Sequence, residues 1–216
     1  MGTLNKTARK NVKNTMKQYL PVIQANWSWK AVFAMLNLTC CLYSPAAHAA
    51  FDTSKDNWAL LGGYGQSVPD WGQTTQRVET LDIIPRYNHI IFDNIGSGWY
   101  RGFHSILLEL PVSVVVSPDT SAMVGMNFLA TYTFTANTVW KPYLFGGGGP
   151  VYNFADIPGM GADLNGNYQF GAGLKYHSIS EHDLLFEVRY HHISNGGSEE
   201  PNDPLNSWKV LFGVSF

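Results

Sequence analysis

The sequence predicts an all-β fold, an eight-stranded antiparallel transmembrane barrel of the outer-membrane type. Three observations predict it: an N-terminal segment ordered like an export signal, the lack of any stretch able to cross a membrane as a helix, and period-two alternation recurring through the rest of the chain.

Residues 1–49 carry six basic residues (Lys6, Arg9, Lys10, Lys13, Lys17, Lys30) and no acid. The apolar run Ala31–Leu42 follows, and Ala47-His48-Ala49 supplies small residues around a cleavage point, so the expected domains are a signal peptide over 1–49 and a barrel over 50–216. Both cysteines, Cys40 and Cys41, fall in the segment to be removed, which excludes a disulfide framework, a thiol nucleophile and a cysteine zinc site from the rest. Residues 50–216 hold eight basic and sixteen acidic residues, a net charge of −8 that argues against nucleic acid as a partner. The most apolar stretch, Ile106–Val116, is broken by Glu109 and Pro111, short of the ~20 residues a helix needs to span.

The strands follow in order. Trp58–Gln66 and Val78–Tyr87 are the first two, the second carrying Pro85 and with it a bulge or a protected edge. In the third, Ile106, Leu108, Leu110, Val112, Val114 and Val116 share one face against Glu109 and Ser113; in the fourth, Val124, Met126, Phe128, Ala130 and Tyr132 stand against Asn127, Thr131 and Thr133. Trp140–Tyr152 is the fifth. Its Gly146–Gly149 run lacks the Lys-Ser/Thr ending of a phosphate loop and reads as close packing or a bend. Tyr168, Phe170, Ala172, Leu174 and Tyr176 mark the sixth strand, Leu184, Phe186, Val188 and Tyr190 the seventh, and Trp208, Val210, Phe212, Val214 and Phe216 the last.

A soluble barrel would hide its apolar face inside. Here the apolar faces begin or end in aromatics (Trp58, Trp99, Trp140, Tyr168, Tyr190, Trp208, Phe216), as the interfacial girdles of a membrane barrel do. Long Gly-, Pro-, Asn- and Asp-rich links at 67–76, 153–165 and 195–206 would lie on the outer side, and the short links 135–139 and 178–182 on the other. The link 89–98 is longer than this scheme prefers.

The seventh strand continues as His191-His192-Ile193-Ser194-Asn195-Gly196-Gly197. Parity puts His192 and Ser194 on the face of Phe186 and Val188, where a polar pair in contact with lipid is costly unless it is used. Residues two apart on a strand are ~6.5–7 Å apart at Cα, within reach of an imidazole–hydroxyl bond. A base and a nucleophile so placed suit acyl transfer. His191, by the same parity, points inward with Glu187 and Arg189.

Tyr190–Gly197, the following Pro201-Asn202-Asp203-Pro204-Leu205-Asn206 and the aromatic end of the chain resemble the PagL-type lipid A 3-O-deacylase (acyloxyacyl hydrolase) family. The resemblance implies an outer-membrane serine esterase acting on lipid A of lipopolysaccharide in the outer leaflet. It implies His192 as base, Ser194 as nucleophile and Asn195 as oxyanion-hole donor, to which the chemistry of the step adds the backbone N–H groups of Gly196 or Gly197. The family places an acid twelve residues after the serine, where this chain has Asn206. An amide oxygen there can still orient an imidazole, as in Cys-His-Asn sites; Asp203, Glu199 and Glu200 are the alternative acids. No metal and no other cofactor is expected, since the histidines His177, His182, His191 and His192 show no ligand spacing. The apolar outer wall permits a homodimer. Two other readings stand beside the esterase: a small barrel that anchors or adheres without catalysis, and a hydrolase of a different lipid ester.

Overall fold

The computed structural model describes residues 55–177 and 182–216, so the expected signal segment 1–49 lies outside the described residues. The strands are β1 Asp56–Ser67, β2 Glu79–Ile95, β3 Gly102–Glu109, β4 Val112–Ser117, β5 Ser121–Gly125, β6 Asn127–Phe134, β7 Trp140–Asn153, β8 Leu164–His177, β9 Asp183–Ser194 and β10 Leu205–Ser215. All pairings are antiparallel. β1 bonds to β10 on one side and β2 on the other, so the sheet returns to its own first strand. A 3-10 turn lies at Gly98–Tyr100.

Ten strands stand where eight were expected, and prolines account for the difference. The expected third strand is cut at Leu110-Pro111 into β3 and β4, both paired with β2; the expected fourth is cut at Met126 into β5 and β6, both paired with β7. Proline has no N–H to give to a ladder. Its carbonyl still accepts: Leu110 N–H donates to Pro85 O at 3.1 Å, Gly125 N–H to Pro111 O and Met126 N–H to Pro150 O, both at 3.0 Å. Pro85, Pro111 and Pro150 therefore mark one seam across β2 to β7. Alternation survives it, for Leu110, Val112 and Val114 remain on the exposed face of Ile106.

The link 89–98 is resolved by β2 itself, which runs to Ile95 with register shifts after Ile90 and Phe92 and leaves only a short turn. Gly146–Gly149 lies within β7, where a Cβ at Gly148 would sit 2.0 Å from the Asn167 carbonyl oxygen. The run is thus a place of close backbone approach.

Most large apolar side chains of the strands face outward, and the inner face carries the buried polar groups together with smaller apolar clusters such as Leu61, Ile84, Leu185 and Leu211. On β9, Leu184, Phe186 and Val188 are exposed while Glu187 and Arg189 are buried at 0% and 1% exposure. Buried charge must be paired. Arg189 donates through Nε to Glu187 Oε2 at 2.8 Å, through Nη1 to Glu109 Oε2 and Gln169 Oε1 at 2.9 Å, and through Nη2 to Glu109 Oε1 at 2.9 Å. Arg86 bridges the same two acids, with Nη2 2.8 Å from Glu109 Oε1 and 2.7 Å from Glu187 Oε1, and Tyr143 donates to Glu187 at 2.5 Å. Two guanidiniums and two carboxylates from three strands cancel. Lys209 and Asp82, 2.8 Å apart, form a second neutral pair.

Ring pairs gather at two levels. Trp58–Tyr87 and Trp140–Tyr176, with centroids 5.2 and 4.5 Å apart, lie toward the end holding the turn at 96–101. Tyr64–Trp208 and Trp71–Tyr190, at 5.7 and 5.0 Å, lie toward the other end. That second end carries the links 68–78, 154–163 and 195–204, under which Val78, Val115, Met123, Val151, Ile157, Ile193 and Leu205 form an apolar cluster.

Candidate active site

β8, β9 and β10 are neighbours, and their register puts Tyr168 and Asn206 on either side of His192, with Gly166 opposite Ser194. The absence of a side chain at Gly166 leaves space beside the hydroxyl. His192 Nε2 is 3.1 Å from Ser194 Oγ, and His192 Nδ1 is 2.7 Å from Asn206 Oδ1. Tyr168 stacks on the imidazole, centroids 4.4 Å apart and planes 22° from parallel, which holds the ring edge-on to both partners.

Six hydrogen bonds hold Asn206. Its N–H donates to Thr74 Oγ1 at 2.9 Å and its carbonyl accepts from Val68 N–H at 3.0 Å. Its Nδ2 donates to the Trp71 carbonyl at 2.8 Å and to Thr74 Oγ1 at 2.9 Å; its Oδ1 accepts from the Tyr190 hydroxyl at 2.5 Å and from His192. A peptide carbonyl only accepts, so the amide must turn Nδ2 to Trp71 and Oδ1 to His192. His192 then carries its proton on Nδ1 and offers a lone pair on Nε2 to Ser194.

The remaining expected residues lie close by but are engaged otherwise. Asn195 Nδ2 donates to Glu199 O at 2.8 Å, and Asn195 Oδ1 takes the Gly197 N–H at 2.8 Å. The Asn195 N–H donates to Asn202 Oδ1 at 3.0 Å. Gly196 sits between them at φ +67°, with open space where a Cβ would be. Asp203 Oδ2 accepts from Thr75 Oγ1 at 3.0 Å, and no bond joins it to His192. His191 is buried on the inner face, away from the pair. Tyr168, Tyr190, Trp71 and Thr74 were not foreseen. For the two tyrosines, parity with His192 was a usable signal; for the link 68–78 there was none.

Among the solved structures that share this fold are two of outer-membrane or surface proteins. That of the outer membrane enzyme PagL is 21% identical with a TM-score of 0.50, covering 73% of this chain and 97% of that one. That of Neisserial surface protein A is 15% identical with a TM-score of 0.54, covering 74% and 96%. The class is therefore an all-β antiparallel sheet whose structural neighbours are outer-membrane β-barrels. No curated protein matches the sequence. The family model described as lipid A 3-O-deacylase (PagL) matches residues 86–215, and the chain belongs to that family.

Proposed function

We propose that this chain is an outer-membrane serine esterase that removes the 3-O-linked acyl chain of lipid A. The observation that carries the reading is the continuous chain of hydrogen bonds Ser194–His192–Asn206, which lies wholly inside the span matched by the family. Joined across their interruptions, β3 with β4 and β5 with β6 make eight staves. The exposed Leu184, Phe186, Val188 and Phe212 then face lipid, the two aromatic levels meet the two interfaces, and the linked end lies in the outer leaflet.

His192 Nε2 takes the proton of Ser194 Oγ as the oxygen attacks the ester carbonyl. The backbone N–H of Gly196 has no partner among the described residues and is the nearest candidate for the oxyanion; Asn195 joins it by exchanging Glu199 for the substrate. Collapse of the tetrahedral intermediate passes the proton from His192 to the leaving sugar oxygen. Water, deprotonated by the same imidazole, releases the fatty acid and restores Ser194. The exposed side chains of Leu164, Tyr168 and Phe170 flank the serine on the outer wall and suit an acyl chain.

The test is mass spectrometry of lipid A incubated with protein purified in detergent from outer membranes. Loss of one 3-hydroxyacyl group, abolished by Ser194→Ala, is expected. Unchanged lipid A with folded protein would refute the substrate assignment, and a non-catalytic barrel or a different lipid ester would replace it.

A further inference from the structure

We infer that the link 68–78 is a positioning element of the site: its Trp71 carbonyl fixes the amide orientation of Asn206 and through it the tautomer of His192, and its Thr74 side chain anchors the link to Asn206. The inference rests on the esterase reading for its kinetic consequence, though not for its structural one.

An amide has two nearly isosteric orientations, and only one is productive here. With Oδ1 toward His192, Nδ1 is protonated and Nε2 is a base. Reversed, Nδ2 would donate to Nδ1, the proton would move to Nε2, and the imidazole would present N–H to Ser194 and be unable to take its proton. A carboxylate at this position would have no such ambiguity, because both of its oxygens accept. An asparagine needs an outside group to decide for it.

The link provides it: the Trp71 carbonyl, which can only accept, takes Nδ2, while the Thr74 hydroxyl bonds both Nδ2 and the Asn206 N–H and ties the link to the strand. Its shape serves this contact. Thr74 is 2% exposed although it belongs to a surface link. The turn is closed by Asp70 N–H to Thr74 O at 3.0 Å and Thr74 N–H to Trp71 O at 3.3 Å, with Asp70 and Gly72 at φ +68° and +63°. A Cβ on Gly72 would come within 3.1 Å of Asn206 Nδ2. Trp71 also packs its ring against Tyr190, whose hydroxyl is the second donor to Oδ1. The link lies outside residues 86–215, so what completes the site comes from the part of the chain that the family match does not reach. The same geometry makes Asn206→Asp a loss: its second carboxylate oxygen would face the Trp71 carbonyl, acceptor against acceptor.

The experiment uses full-length protein purified in detergent and labelled with 15N-histidine, with the His192 signals assigned by their loss in His192→Ala. Wild type should show His192 protonated at Nδ1. Thr74→Val, which cuts both bonds that anchor the link to Asn206 and so releases the Trp71 carbonyl, should populate the other tautomer and lower kcat about tenfold or more at unchanged KM. Thr74→Ser, which keeps the acceptor, should restore both. A folded Thr74→Val protein with wild-type tautomer and kcat would overturn the inference. If Thr74→Val does not fold, Asn206→Asp decides: lower kcat than wild type supports it, and equal or higher kcat overturns it. The tautomer is read without substrate. A wild type inert on lipid A would therefore sink the proposed function and leave this reading to stand or fall alone.

Discussion

Arg189→Met tests the account of the buried charges. Arg189 is 1% exposed and reaches Glu109, Glu187 and Gln169 from one guanidinium. Its removal leaves Glu109 and Glu187 with Arg86 alone, one uncompensated negative charge inside a closed sheet. Breaking a buried pair in this way costs about 3–5 kcal/mol. At a urea dependence of roughly 2 kcal/mol per molar, the unfolding midpoint should fall by about 2 M. Adding Glu187→Gln removes the surplus charge while keeping an acceptor for the Tyr143 hydroxyl, which now donates to Glu187 at 2.5 Å. The double variant should therefore be more stable than Arg189→Met, although it lacks more of the native bonds. The assay is reversible urea unfolding in lipid vesicles, followed by tryptophan fluorescence and by the mobility of the folded band in unheated gels. A single variant within about 1 kcal/mol of wild type, or a double variant less stable than the single one, would refute the reasoning.

Three further outcomes follow from the same geometry. Tyr190→Phe keeps the ring against Trp71 and Phe170 but removes a donor to Asn206 Oδ1, so kcat on lipid A should fall about three- to tenfold at unchanged KM. Asp203→Asn should stay within about twofold of wild type, because that carboxylate is held by Thr75; a hundredfold loss in the same assay would make Asp203 the partner of His192. Gly148→Ala drives a methyl to 2.0 Å from the Asn167 carbonyl, and refolding yield on unheated gels should collapse where Gly196→Ala, with open space at its Cβ, costs only about 1 kcal/mol of backbone strain.

Much of the wall was legible because alternation is a local property. The parity of Phe186, Val188, Tyr190, His192 and Ser194 could be counted along β9 with no knowledge of its neighbours. Strand number was less so: Leu110-Pro111 reads as a passing irregularity, and only the opposing Pro85 and Pro150 reveal a seam that ends strands. Asn206 could be placed on the face of the pair by parity, whereas its position directly across from His192 depends on register, which a single strand does not encode. The interior was illegible in detail. Glu109, Glu187 and Arg189 were visible as inward charges, whereas Arg86 was not, and which acid meets which base is decided by three strands brought together only by the fold. The Trp71–Thr74 turn was missed altogether, since its meaning lies in a carbonyl and a hydroxyl that acquire a role only against Asn206.

The charge cluster at the centre of the closed sheet also bears on permeability. Arg86, Arg189, Glu109 and Glu187 are almost wholly removed from solvent; a space of about 20 Å³ is lined by Gln169 and Lys209 and one of about 10 Å³ by Arg86 and Tyr143, while a wider one of about 260 Å³ lies beyond Asn88 and Lys175. An ion passing the level of these four residues would have to displace a guanidinium from its carboxylates. Seated in a bilayer as proposed, the protein should be electrically silent, and a cell could carry many copies without leaking solutes through them.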